Sequence, residues 1–238
     1  MAAIRKAIER REPEPTAPGG FLTLSQQLVR RIADEIVNER FTPGARLKEV
    51  ELASMYRVSR TSVREALRVL ENRGLVRIEP RRGVHVTQLS AEEVDDLYEI
   101  RASLLAVAAR RVAMRRSADL ADELRGLLVR VTRHATDADH NRYFAAVYAL
   151  SQLIADGAGS ERLATLIRSF SQQIARYTRM SLRSPARRQR SAQRWKVLVA
   201  AIEAGNAAKA DEAMRRLVTA SQESIRQILL DQAHKRAA

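Results

Sequence analysis

Between Val58 and Pro80 the chain reads VSRTSVREALRVLENRGLVRIEP, and its apolar spacing changes from helical to strand-like at one glycine. Ser59 suits a helix N-cap, because its hydroxyl can accept a bond from a first-turn amide. Val63, Ala66, Leu67 and Leu70 then recur at i, i+3, i+4 and i+7, the spacing of one buried helical face. Gly74 is placed as a C-terminal stop. Beyond it LVRIE and VHVTQ alternate as two strands, joined by Pro80-Arg81-Arg82-Gly83. A single amphipathic helix running straight into a hairpin must find a cover for its apolar face. The preceding residues offer one: Leu24, Leu28, Ile32, Ile36 and Val37 fall on one face of a helix from Thr23 to near Arg40. After the turn at Pro43-Gly44, a short helix from about Lys48 to Tyr56 carries Val50, Leu52, Ala53 and Met55. Three helices followed by a hairpin is the order of a winged helix-turn-helix.

The pattern changes again at Ser90, where Glu93 three residues on completes a capping box. From there the sequence predicts six helices, over 91–115, 118–135, 139–156, 161–182, 186–204 and 207–234, punctuated by Gly157, Gly159, Pro185 and Gly205. The expected fold class is mainly α: an N-terminal winged helix-turn-helix domain over 21–88 and a C-terminal all-α antiparallel helical bundle over 89–238. Residues 1–20, with Pro13, Pro15, Pro18 and Gly19-Gly20 among mixed charges, read as a disordered tail. Composition agrees, with 45% hydrophobic but only 4% aromatic residues, which suits aliphatic helix cores. A formal charge of +14 calls for a polyanionic partner. No cysteine is present, which excludes thiolate chemistry and favours a cytoplasmic location, and no apolar run approaches a membrane span.

In a helix-turn-helix the N-terminal end of the second helix meets base edges and phosphates. Here that end presents Ser59, Arg60, Thr61, Ser62 and Arg64, and the hairpin tip presents Arg81 and Arg82 to the backbone or minor groove. The stretch PGARLKEVELASMYRVSRTSVREALRVLENRGLVRIEPRRGVHV, residues 43–86, closely resembles the DNA-binding domain of GntR-type transcriptional regulators. That resemblance implies DNA contacts from Ser59, Arg60, Thr61, Ser62, Arg64, Arg81, Arg82 and Gly83. Some members place an arginine in the preceding helix where Val50 or Glu51 stands here, so no contact carries over there.

The helical half, through DLYEIRASL, GAGSERL and AAIEAGNAAKADEAMRRL, resembles the FCD type of the FadR subfamily. The resemblance implies a small organic-acid effector inside the bundle, beside a metal held by one aspartate and three histidines. Aligned on those phrases, the four ligand positions fall at Val147, Ser151, Arg194 and Leu217, none a good divalent ligand. The chain's histidines, His85, His134, His140 and His234, lie elsewhere, so neither a metal nor any other cofactor is expected. Arg194 shares an inward stripe with Leu198 and Ala201, and an unpaired buried guanidinium needs an anion. Arg101 stands where the family carries an effector-facing arginine. The expected site is therefore a clamp of Arg101 and Arg194 on a carboxylate or phosphate, lined by Tyr98, Tyr148, Ser151 and Gln152. Between Glu161 and Glu203 no acidic residue occurs while ten basic ones do, which reads mostly as a solvated basic loop around Pro185.

These features point to a homodimeric, sequence-specific regulator, expected to act as a repressor, that binds double-stranded operator DNA and responds to a small organic acid. The competing reading is an effector-independent architectural DNA- or RNA-binding winged helix with a structural helical dimerisation domain. An enzyme is not expected, since the chain has no Gly-rich phosphate loop, no GxSxG and no metal triad.

Overall fold

The computed structural model of the protein describes residues 23–237. The expected tail over residues 1–20 lies outside them. The N-terminal unit is built from helix α1 (Leu24–Val37), strand β1 (Arg46–Leu47), helices α2 (Glu49–Tyr56) and α3 (Arg60–Asn72), and strands β2 (Val76–Glu79) and β3 (Gly83–Val86). Thr23 and Gln26 form a reciprocal capping box on α1, and the Ser59 hydroxyl accepts the Ser62 amide at 3.0 Å to start α3. Gly74 ends α3 with φ +70, in the left-handed region where glycine costs least. The carboxylate of Glu71 then accepts the Ile78 amide at 2.9 Å, which ties the helix to the first strand of the wing.

The expected two-stranded wing is a three-stranded sheet of order β1-β3-β2, because Arg46 and Leu47 pair with His85 and Val84. Two residues are too short a segment to show alternation, so this strand left no periodic signal. Val63, Ala66, Leu67 and Leu70 of α3 pack with Leu28, Ile32 and Ile36 of α1, Leu52 of α2, and Val76, Val84 and Val86 of the sheet. The amphipathic face of α3 is thus covered by the partners its own sequence demanded.

A second, separate core fills the bundle of α4 (Ala91–Arg115), α5 (Ala118–His134), α6 (His140–Gly157), α7 (Glu161–Ser181), α8 (Pro185–Glu203) and α9 (Ala207–Ala237). Side-chain N-caps open five of them: Ser90, Ser117, Asp139, Ser160 and Ser184. The longest partnership is that of α4 with α9. The boundaries agree with the helical periodicity to within a residue or three. Among the described residues no helix is long and apolar enough to cross a membrane.

The two units meet along α7. Arg179 donates to Asn141 Oδ1 of α6 at 2.7 Å, to the Val37 carbonyl at 3.2 Å and to Asn38 Oδ1. Arg183 pairs with Glu39 at 2.5 Å. The Leu89 amide donates to Tyr177 Oη at 2.7 Å, and Arg77 of β2 reaches Glu93 of α4 at 2.6 Å. The bundle therefore grips both the C-terminal end of α1 and the exit of the wing.

Candidate nucleic-acid interface and a buried cationic cavity

The N-terminal end of α3 projects free of the core. Ser59, Arg60, Thr61 and Arg64 are exposed and Ser62 is half-buried, while Val63 and Leu67 face inward. Arg60 makes no hydrogen bond within the described residues. Arg64 is held from the side, with Nε donating to Glu49 Oε1 at 3.1 Å and Nη2 to Glu49 Oε2 at 2.9 Å. That fork, with Arg60 nearby, keeps the Glu49 carboxyl below its usual range. It also presets the direction of the Arg64 side chain. At the wing tip Arg81 and Arg82 are exposed, and Arg81 is left-handed with φ 65. Gly83 has φ +96, and a Cβ there would meet Arg46 Nε at 3.1 Å. Arg46 thus joins the wing's basic group, a residue that the sequence pattern did not single out because its strand is two residues long.

Inside the bundle lies a small cavity of about 40 Å³. Arg101, Tyr148, Ser151, Ser171, Thr178 and Trp195 are among the residues lining it, and none of the lining residues is acidic. Arg101 donates through Nε to Ser171 Oγ at 3.3 Å, and burial holds its guanidinium below the ordinary range. Tyr98 is fully buried behind the wall, bonded to Thr178 Oγ1 at 2.7 Å. Burial raises its phenol, while Arg101 and Arg187 oppose the rise.

Of the expected clamp, the structure brings together Arg101, Tyr148 and Ser151, with Tyr98 one bond behind. Gln152 does not line the cavity, and its Nε2 is buried without a partner. Arg194 does not line it either. The residues of α8 that line the cavity are Ser191 and Trp195, four apart, and Arg187, one turn before Ser191, stands behind them without lining it. Arg194 lies one residue, hence about 100°, away from Trp195. It is only half-buried, as a long charged side chain at a core's edge can be. The guanidinium that is buried is Arg187, 5% exposed. Its Nη2 donates to Ser221 Oγ in the cavity wall at 2.8 Å, while Nε and Nη1 are buried with no partner. Burial lowers its affinity for the proton. Sequence reasoning missed it because Arg187 sits at the third position of α8, within the stretch assigned to a solvated loop.

That stretch is not uniformly solvated. Arg176, Arg187 and Arg188 are 6%, 5% and 2% exposed. Arg188 is satisfied without any anion: it donates to the carbonyls of Ala135 at 3.2 Å, Leu182 at 2.8 Å, Arg183 at 3.0 Å and Asp137 at 2.6 Å. It staples two interhelical corners together, so a buried arginine in this bundle is not by itself a ligand site.

A divalent metal does not fit. Val147, Ser151 and Leu217 do line the cavity, but they offer one hydroxyl among them, and the guanidinium of Arg101 faces the same space. Among the described residues no group of three or more His, Cys, Asp and Glu gathers in a way that could hold a metal ion.

Two family profiles match the chain. That of the bacterial regulatory proteins of the gntR family covers residues 24–86, and that of the FCD domain covers residues 96–220. The chain is 41% identical over 78 residues to the HTH-type transcriptional regulator YdhC of Bacillus subtilis, spanning 33% of this chain and 35% of that protein. It is 42% identical over 83 residues to the Nta operon transcriptional regulator of Aminobacter aminovorans, spanning 35% and 39%. Each match therefore spans well under half of the relative's own length. In fold, the solved structure of McbR/YncC from E. coli superposes with a TM-score of 0.76 at 20% identity, covering 90% of this chain and 100% of that one.

Proposed function

Since the chain belongs to the GntR family of bacterial regulatory proteins and carries their FCD domain, we propose that it is a homodimeric repressor whose bundle senses a small carboxylate without a metal. The family makes the winged unit a DNA reader. Arg60, Thr61 and Arg64 then address base edges, Ser59 and Ser62 the phosphates beside the helix N-terminus, and Arg81, Arg82 and Gly83 the backbone or minor groove. Two heads at fixed spacing read the two halves of an operator.

One observation carries the effector reading: Arg187, almost wholly buried, has two guanidinium donors without partners, behind a cavity that holds Arg101 and no acid. Leaving such charge uncompensated costs several kcal/mol, which an entering anion offsets. The carboxylate is held by Arg101 and reached by Arg187 through the Ser221 wall, with Tyr148, Ser151 and Ser171 fixing its orientation. The apolar side chains Phe144, Ile174 and Trp195 receive its carbon skeleton.

The test is a thermal-shift screen of organic acids on ligand-stripped protein, followed by calorimetry and operator-binding titrations. Arg101→Met and Arg187→Met are expected to abolish the response to the selected acid while leaving ligand-free operator binding intact. A response that survives in both variants sinks the reading.

A further inference from the structure

A third buried arginine is neither stapled like Arg188 nor part of the effector cavity. Arg176 of α7 is 6% exposed and lies at the seam between the bundle and the DNA-binding unit. Its Nη2 donates to Tyr177 Oη at 2.5 Å, and its guanidinium carbon stands 4.4 Å from the centre of the Tyr177 ring. Its Nη1 is buried with no partner, and among the described residues no carboxylate pairs with it.

Arg176 lines a second, much smaller space, with room for about one water-sized guest, together with Thr87, Gln172, Gln173, Tyr177 and the apolar Ile36 and Leu75. Across it, Thr87 Oγ1 is also buried with no partner. Tyr177 Oη accepts from both the Leu89 amide and Arg176, so its own proton is left without an acceptor among these contacts. The space therefore offers a guanidinium N–H and two hydroxyl hydrogens, one from the DNA-binding unit and two from the bundle, beside the amide side chains of Gln172 and Gln173. These are unpaired donors beside a guanidinium that faces the Tyr177 ring and no carboxylate. Water would bring two further protons and no charge, whereas an anion accepts from all three donors and neutralises the cation.

We propose that this seam binds a monovalent inorganic anion of halide size, bridging Arg176 Nη1 of the bundle and Thr87 Oγ1 of the wing exit. The site is independent of the effector cavity, which lies on the other face of α7 and shares none of these residues. An occupied seam holds the DNA-binding unit in one orientation on the bundle, so its occupancy sets how freely the heads move.

Crystals of the full chain grown in sodium bromide are expected to show an anomalous peak within hydrogen-bond distance of Arg176 and Thr87. At constant ionic strength, replacing sodium gluconate by sodium chloride is expected to raise Tm by about 2–4 °C in the unaltered protein. Neither Arg176→Met nor Thr87→Val is expected to show that rise. Thr87→Val removes only a hydroxyl and keeps the test valid if the arginine variant folds poorly. A water molecule at the position, or no bromide peak, overturns the proposal. A chloride response retained in full by Thr87→Val does the same, and so does a bromide peak with no chloride-dependent Tm, which would mark an adventitious ion only.

Discussion

Replacing Arg187 by methionine tests the buried charge directly, and the structure fixes the sign of the outcome. The substitution removes two buried donors that have no partner, Nε and Nη1, each costing about 1–3 kcal/mol while unsatisfied. It also removes one bond, from Nη2 to Ser221 Oγ at 2.8 Å, worth about 1.5–3 kcal/mol for a charged donor. Ser221 is not stranded by the change, because its hydroxyl donates to the Leu217 carbonyl at 3.2 Å. The balance favours methionine by about 2 kcal/mol, within the range seen when buried charges give way to apolar residues of similar volume. For a chain of this size that is a rise in Tm of about 4–8 °C. The assay is thermal and urea unfolding of protein refolded from denaturant, so that any bound acid is stripped. Adding effector at 100 times its Kd then stabilises the unaltered protein by about 2.7 kcal/mol and the variant not at all, so the order of stabilities reverses. A ligand-free Arg187→Met protein less stable than the parent by more than about 1 kcal/mol would refute the argument, since the guanidinium would then be satisfied without a ligand.

Arg188 gives the opposite sign one residue on: with four carbonyl acceptors at 2.6–3.2 Å, Arg188→Met should destabilise by about 3–5 kcal/mol in the same unfolding experiment. Arg60→Ala should weaken operator binding by about 1–3 kcal/mol in fluorescence anisotropy and relax discrimination at one base position, with Tm unchanged. Burial pushes the Tyr56 phenol up to about 12. A raised pKa of this kind stabilises the fold below the unfolded value near 10, and that contribution disappears as pH rises through 12. Tyr56→Phe should therefore soften the loss of stability between pH 10 and 12 by at most about 2 kcal/mol, discounted because the side chain is partly exposed. Its hydroxyl has no partner to lose.

What the sequence made legible was whatever repeats along one element. The stripe of Val63, Ala66, Leu67 and Leu70, the capping residues Ser59 and Ser90, and the glycines at 74, 159 and 205 are local signals, and each helix began or ended where they stand. The exposed N-terminal end of α3 was legible for the same reason, because its polar residues are contiguous. The cavity was legible only in part: the expected Arg101, Tyr148 and Ser151 line it, but its walls come from α4, α6, α7, α8 and α9, and only packing decides which turn of each faces inward. A one-residue displacement on α8 separates Arg194 from Trp195, and apolar spacing alone tolerates that much error. The fates of Arg187 and Arg188 depend in part on Ser221, Ala135 and Asp137, tens of residues away, so a run of basic residues could not reveal which would be stapled, unpaired or solvated.

Helix α7 joins the two halves of the molecule through its own periodicity. Ser171, Ile174, Ala175 and Thr178, at i, i+3, i+4 and i+7, line the bundle cavity, whereas Gln172, Gln173, Arg176 and Tyr177 line the seam. A ligand in the cavity and the head at the seam would thus meet two faces of one helix, and any turn or slide of it would change both. The energy required is small, because a tenfold change in operator affinity is a coupling of about 1.4 kcal/mol. That is close to one charge-assisted hydrogen bond, and Arg179 makes two toward the head, to the Val37 carbonyl and Asn38 Oδ1. Arg179→Ala is therefore expected to leave the effector's affinity for DNA-free protein within about twofold. The ratio of operator affinities with and without effector should fall toward one. Linkage requires the same ratio in effector affinity measured with and without operator, so two independent titrations must agree. Undiminished coupling in both would mean that the signal leaves the cavity by a route other than the grip of α7 on α1.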